Sequence, residues 1–122
     1  MAARYMNTVR SIRKEVVLQF GSVTFGSSGA ISSYATGTNF TLTRTGTGAY
    51  TMTLTDKFHS LLSITGTVVN SSAEDGHWQR TAAMSGGNTI TLLHVAGGAA
   101  ADPASGTSVD FFIALKNSGV FP

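Results

Sequence analysis

Apolar and hydroxyl-bearing residues alternate through one central stretch of the chain, residues 39 to 55, NFTLTRTGTGAYTMTLT. The apolar positions are Phe40, Leu42, Tyr50, Met52 and Leu54, and threonine fills most positions of the other parity. Successive side chains of a β-strand point to opposite faces, so this pattern predicts two strands with one apolar face and one threonine face. The glycines of TGTG suit a reversal between them, and the stretch therefore predicts a β-hairpin.

Shorter runs with the same two-residue period recur along the rest of the chain, separated by Gly, Ser and Asn. They predict strands beginning near residue 15 and over residues 30 to 34, 59 to 70, 77 to 84, 89 to 95 and 107 to 117. About eight short strands without a core helix predict an all-β fold, a single β-sandwich of jelly-roll type. Residues 96 to 106 are predicted to be a flexible connection.

The beginning of the chain has a different character. Residues 7 to 20 contain the only helix-like spacing of apolar residues, but Val16, Leu18 and Phe20 also alternate as a strand does. We interpret residues 1 to 14 as an extended basic arm and residues 15 to 122 as the β-sandwich domain. The apolar alternation changes phase by one residue at Gly21, which predicts a bulge or bend there.

Charge is scarce, and this narrows the class of protein. Only 11% of the 122 residues are Asp, Glu, Lys or Arg, against roughly 25% in an average soluble domain. Ser, Thr and Gly supply the missing polarity, and they do not repel one another. The composition leaves two interpretations open: a β-protein with a threonine-rich surface, or a subunit whose surface is covered by its neighbours.

Basic residues concentrate in the arm, which holds Arg4, Arg10, Arg13 and Lys14, and Glu15 is the only acidic residue among residues 1 to 20. Such an arm could touch nucleic acid or an acidic protein surface. Four basic groups are few for nucleic acid, and no aromatic stacking platform accompanies them, so we do not expect nucleic-acid binding. The stretches without charge are rich in Gly, Ser and Thr, so the sequence predicts neither a secretory signal nor a membrane helix.

No arrangement of residues indicates catalysis. His59, His77 and His94 have no carboxylate or second histidine at ligand spacing, and the chain contains no cysteine. The carboxylates form no pair that would face one cleft, and no Gly-x-Ser-x-Gly elbow is present. We therefore predict that the chain is not an enzyme and that it holds neither metal nor cofactor.

Two features admit a binding interpretation. Trp78, the only tryptophan, could be a carbohydrate platform or a residue of the sandwich core, and its usual burial favours the core. The threonine rows are similar to those of ice-binding surfaces, which need a flat repeating array. Rows confined to one hairpin are too short for that function.

Three segments together resemble small virion proteins of tailed bacteriophages, of the type that decorates or cements the capsid. They are FGSVTFGSSGAIS, FTLTRTGTGAYTMTLTDKFHSLLS and AADPASGTSVDFFIALKNSGV, and they span roughly residues 19 to 120. The resemblance implies a β-sandwich, as a trimer, on the outer surface of the virion capsid after synthesis in the host cytoplasm. There it would clamp neighbouring major capsid subunits.

The contacts with capsid or sister subunits would then come from the arm, the threonine face and the C-terminal tail. The candidate contact residues are Arg4, Tyr5, Arg10, Arg13, Lys14, Thr41, Thr43, Thr51, Thr53, Val120 and Phe121. Similar small β-domains occur in phage tail fibres and baseplates, so a tail component is an alternative. A carbohydrate-binding module is a third, because of Trp78.

Overall fold

The chain folds as a sandwich of two antiparallel sheets in a computed structural model that describes residues 16–117. Nine strands lie in this range, against about eight predicted. They are β1 (Val16–Phe25), β2 (Ile31–Tyr34), β3 (Phe40–Gly46), β4 (Ala49–Leu54), β5 (Ser60–Val69), β6 (His77–Arg80), β7 (Thr89–Ala96), β8 (Ala99–Ala100) and β9 (Ser108–Lys116). The only helical element described is a single 3-10 turn, Ser27–Gly29. The all-β sandwich expected from the sequence is confirmed.

Sequence neighbours pair within each sheet, but the first and last strands also meet. The first sheet has the order β2-β1-β9-β5, and the second has β3-β4-β7-β6 with β8 paired to β7. The pairing of β1 with β9 joins Val16 to Lys116 and continues without interruption to Thr24 beside Ser108. This order does not by itself establish jelly-roll connectivity, which stays a prediction.

One apolar layer between the sheets forms the core. Alternate residues of the long strands point inward, as the two-residue period requires. The buried set is Val23, Phe25, Phe40, Leu42, Tyr50, Met52, Leu54, Ile90, Leu92, Val109, Phe111, Ile113 and Leu115. All five apolar residues of the predicted hairpin belong to it, and the hairpin pairs Phe40 with Leu54 through Arg44 with Tyr50. The hairpin and its apolar face are therefore confirmed.

The predicted bulge at Gly21 is wrong. β1 runs beside β9 through Gly21 without a shift of register, and its one irregularity lies against β2 between Thr24 and Phe25. The phase change has another cause: the apolar residues of β1 change face. Val23 and Phe25 point into the core, whereas Leu18 and Phe20 point out of the sandwich.

Glycine is required at position 21 because the core is crowded there. A Cβ atom at Gly21 would lie 2.7 Å from the Thr38 Cγ2 atom and 2.8 Å from the Phe40 Cζ atom. Phe40 is a buried core residue, and its ring meets Phe111 edge-on at 5.8 Å between centroids. The ring of Phe40 thus fills the space that any other side chain at position 21 would need.

We predict that Gly21→Ala lowers the free energy of unfolding by about 1–3 kcal/mol, because overpacking displaces a ring held on all sides. Gly46→Ala is the matched control, since the nearest atom to a Cβ there is the Ala49 Cβ at 3.9 Å. Urea unfolding of both variants measures the difference. Equal stabilities for the two variants would contradict the crowding at Gly21.

Candidate binding surfaces

Threonines form a grid on the outer side of the second sheet. Two rows each cross three strands, and they are Thr41–Thr53–Thr89 and Thr43–Thr51–Thr91. We call these side chains the threonine face. The structure brings together Thr41, Thr43, Thr51 and Thr53, the candidate contacts from the sequence, and adds a third strand that the sequence did not join to them. Rows limited to one hairpin were therefore a wrong expectation.

The threonine face carries no charge. No Asp, Glu, Lys or Arg stands at an outward-facing position of β3, β4, β6 or β7, where Gln79, Leu93 and Ala49 continue the surface. Within residues 16–117, the hydroxyls of Thr41, Thr43, Thr51 and Thr53 have no hydrogen-bond partner in the fold. These hydroxyls point away from the sheet and are available to hydrogen-bond water or a partner.

The outer side of the first sheet presents several exposed apolar side chains. Leu18, Phe20, Leu62 and Phe112 are 41%, 59%, 52% and 38% exposed. The rings of Phe20 and Phe112 lie side by side on β1 and β9, 5.1 Å apart between centroids. We call these four side chains the apolar patch. Contiguous apolar surface on a soluble domain commonly marks an interaction site.

Sequence reasoning missed the apolar patch because it counted the apolar residues of β1 as one run. The signal was present in the phase change at Gly21. A phase change without a bulge moves the apolar residues to the opposite face, so Leu18 and Phe20 had to face outward once Val23 and Phe25 faced inward. The register with β9, which shows that no bulge intervenes, is a long-range feature.

An ion pair closes one end of the sandwich. The Asp102 carboxylate accepts hydrogen bonds from Arg44 Nε at 3.0 Å, Arg44 Nη2 at 2.9 Å and the Gly48 backbone N–H at 2.9 Å. Close by, the Tyr50 hydroxyl donates to the Gly29 carbonyl at 2.6 Å. The predicted flexible connection, residues 96 to 106, is thus tied to the hairpin through its one carboxylate. We assign this cluster a structural role.

The cluster shifts the pKa values of its members. The hydrogen bond from Arg44 lowers the pKa of Asp102, with help from the Gly48 N–H. The same hydrogen bond raises the pKa of Arg44. Burial, and then the negative charge of Asp102, raise the pKa of Tyr50 to about 12. Asp102 is therefore ionised and Tyr50 protonated at neutral pH.

The histidines occupy different environments, and His77 and His94, although on paired strands, stand on opposite faces of the sheet. His94 is buried, and its Nδ1 atom lies 2.7 Å from the Ala101 carbonyl oxygen, whereas His59 and His77 are exposed. No group of three His, Cys, Asp or Glu side chains in residues 16–117 could hold a metal ion. Across the same range, no helix is long and apolar enough to cross a membrane.

Trp78 belongs to the interior. Its ring is partly buried, on the inward side of β6, and is packed among Phe25, Tyr50, His94 and Phe111 with centroid distances between 5.0 and 5.9 Å. The Nε1 atom is buried without a hydrogen-bond partner in the described part of the chain. The preference for a core tryptophan is confirmed, so Trp78 does not present its ring as a platform for a glycan.

The other candidate contacts fall outside the described residues. Arg4, Tyr5, Arg10, Arg13 and Lys14 precede Val16, and Val120 and Phe121 follow Asn117. The proposed boundary between arm and domain lies outside the described residues as well. The candidate surfaces within the described residues are therefore the threonine face, the apolar patch and the edges of the two sheets.

Comparison with known proteins gives no assignment. No protein-family model, no curated protein and no solved structure matches the chain. The surfaces described above are therefore the basis on which a function is proposed.

We predict that Asp102→Asn reduces the loss of stability in acid. A carboxyl whose pKa is lower in the folded than in the unfolded state stabilises the fold above its unfolded pKa, near 4. That contribution disappears as the pH falls through the lower, folded pKa. Urea unfolding between neutral pH and pH ~2 should show a flatter profile for Asp102→Asn. Asp75→Asn, in the exposed loop before β6, should keep the wild-type profile, and equal profiles for all three proteins would contradict the assignment.

We predict that Trp78→Ala lowers the free energy of unfolding by about 3 kcal/mol or more, because it leaves a cavity among four rings. Trp78→Phe should cost less, since it retains one ring of the cluster. The carbohydrate alternative is checked on a glycan array with the folded wild-type protein and Trp78→Phe. A glycan signal that the wild type gives and Trp78→Phe loses would contradict the structural role.

Proposed function

We propose that the chain is a structural virion protein that binds the outer surface of a phage capsid and cements neighbouring major capsid subunits. The observation that carries this proposal is the uncharged threonine face, which spans three strands of one sheet. The sequence resemblance to capsid decoration proteins supplies the kind of partner. The trimer that the resemblance implies stays a prediction.

A face of threonines suits a covered surface for a physical reason. Removing a charged side chain from water is costly unless a partner compensates it with good geometry. A hydroxyl costs less to desolvate and can both donate and accept a hydrogen bond. Threonine also brings its short, stiff β-branched side chain close to the backbone, so a partner can approach the sheet closely. The face therefore fits a broad protein partner better than a small ligand.

The distribution of charge supports the same interpretation. None of the charged residues described belongs to the threonine face, and five of the nine lie in turns and loops, namely Asp56, Lys57, Glu74, Asp75 and Asp102. Exposed charges are what keep a solitary domain from associating. Repeated copies on one particle would turn a modest contact per subunit into strong retention, because linked sites bind with high effective concentration.

The threonine grid also favours a second candidate, binding to an ice surface. Two threonines on each of three adjacent strands give a repeat in two directions. The right-handed twist of an open sheet works against this function, since it rotates neighbouring strands by roughly 20–25°. Ice binding is tested by microscopy of ice crystals that grow in a solution of the protein. Crystal growth that the protein leaves unaltered would exclude this candidate.

We predict that Thr43→Glu abolishes or strongly weakens capsid binding, because the contact would have to bury an uncompensated charge. The expected loss of affinity is about tenfold or more, while stability changes by about 0.5 kcal/mol or less because Thr43 is exposed. The measurement is co-sedimentation with particles of the phage whose genome carries this chain, prepared without the protein.

Thr65→Glu is the matched control, an exposed threonine on β5 in the first sheet, opposite the uncharged Phe112 of β9. It should bind capsids as the wild type does. Capsid binding by Thr43→Glu at wild-type strength would contradict the role of the threonine face. Cryo-electron microscopy of complete particles would separate the capsid from a tail or baseplate location.

A further inference from the structure

The first strand has an open backbone edge. On the side away from β9, β1 pairs with β2, but only from Val23 to Phe25. Among residues 16–117, no strand pairs with this side of β1 from Val16 to Gly21. We call this segment the open edge, and its sequence is VVLQFG.

The hydrogen bonds of Ser22 show which backbone groups point to the open side. The Ser22 N–H donates to the Thr38 hydroxyl at 3.1 Å, and the Ser22 carbonyl accepts from the Ala35 N–H at 3.0 Å. The Phe25 N–H points the other way, to the Thr107 carbonyl at 2.8 Å. Since backbone groups alternate sides along a strand, the N–H and C=O groups of Val16, Leu18 and Phe20 face the open side.

Nothing in the open edge opposes pairing with another strand. Protein sheets usually protect an edge with a charge, a proline, a bulge or a covering loop. The segment has no charged residue and no proline, and its bulge lies beyond it, at Thr24. The Val and Phe residues of the open edge have high β-propensity, and Leu18 adds a further apolar side chain.

We propose that the open edge pairs with the same segment of a second copy of this chain, antiparallel and across a two-fold axis. Opposed residues of an antiparallel pair share a face, which restricts the alignment. With Leu18 opposite Leu18 of the partner, Val16 stands opposite Phe20, and Val17 stands opposite Gln19. Val16, Leu18 and Phe20 then exchange both of their backbone hydrogen bonds with the second copy.

Charge and shape favour a second copy over another occupant. When a strand pairs with its own copy, any charged residue on it comes close to a like charge on the partner. This segment has no charged residue, so no such repulsion arises. The open edge ends at Ser22, where a turn brings Ala35 and Thr38 against the strand. A pocket of about 360 Å³ lies beside this turn. The turn limits the pairing to the residues before Ser22, and the alignment centred on Leu18 uses only those.

The pairing would also enlarge the apolar patch. A two-fold axis perpendicular to the sheet keeps the outward sides of both copies on one face. Leu18 and Phe20 of each copy would then adjoin, with Phe112 beside them on β9. This contact between copies does not depend on the capsid assignment, since it involves the first sheet and not the threonine face.

The test is sedimentation velocity of the full-length protein over a range of concentrations, with two variants and one control. Leu18→Pro removes an N–H that has no partner in residues 16–117, and proline is tolerated where an edge N–H faces outward. We expect a wild-type dimer and a folded Leu18→Pro monomer, with the dissociation constant raised by about tenfold or more. Circular dichroism checks that the variant is folded.

Leu18→Lys is the second variant, and it keeps the backbone intact. Two lysines directly opposite each other should dissociate the dimer at low salt, and less so at high salt. Leu62→Lys is the control, because Leu62 is an exposed member of the apolar patch on β5, away from the open edge. It should remain a dimer.

Any of three other results would overturn the proposal. A monomeric wild type would show that the open edge is unpaired or covered by the chain itself. A trimer would support the threefold assembly implied by the sequence resemblance and exclude the two-fold pair as the principal contact. A dimer that Leu62→Lys dissociates and both Leu18 variants leave intact would show face-to-face packing through the apolar patch.

Discussion

The packing of two sheets against one shared apolar layer determines every other surface of this protein. Phe25, Tyr50, Trp78 and Phe111 meet in the middle of that layer. Strand side chains alternate, so the residues that fill the layer also decide which side chains point away from it. The threonine face and the apolar patch are the two outer sides of the same sandwich, one on each sheet.

Both outer sides are unusual for a solitary domain, although in different ways. One presents hydroxyls without charge, and the other presents exposed Leu and Phe side chains. Charged residues on the strands are few, and one of them, Arg44, is paired with Asp102. This distribution of side chains supports the proposal that the outer sides are covered in an assembly.

The sequence predicted the local features of this fold and missed the long-range ones. The hairpin of β3 and β4 was predicted closely because a two-residue period over seventeen residues has one simple interpretation. Its threonine face was predicted for the same reason. The third threonine of each row, which lies on β7, was not predicted, because strand order follows from packing and not from periodicity. The pairing of Arg44 with Asp102, 58 residues apart, was equally out of reach.

The first strand shows how one local misinterpretation conceals a surface. Interpreting the phase change at Gly21 as a bulge kept Leu18 and Phe20 with the core, whereas the unbroken register with β9 places them outside. Glycine is needed there for a different reason, the ring of Phe40.

Residue-resolved amide hydrogen exchange along β1 tests the claim most directly open to measurement, that the open edge of this sandwich pairs with a second copy of the chain. The Gln19 amide faces β9 and should exchange slowly at every concentration, whereas the Leu18 and Phe20 amides face the open side. If copies associate as we infer, the Leu18 and Phe20 amides exchange slowly at high protein concentration and faster on dilution. Exchange at Leu18 and Phe20 as fast as in the loops at every concentration, with Gln19 alone protected, would contradict it.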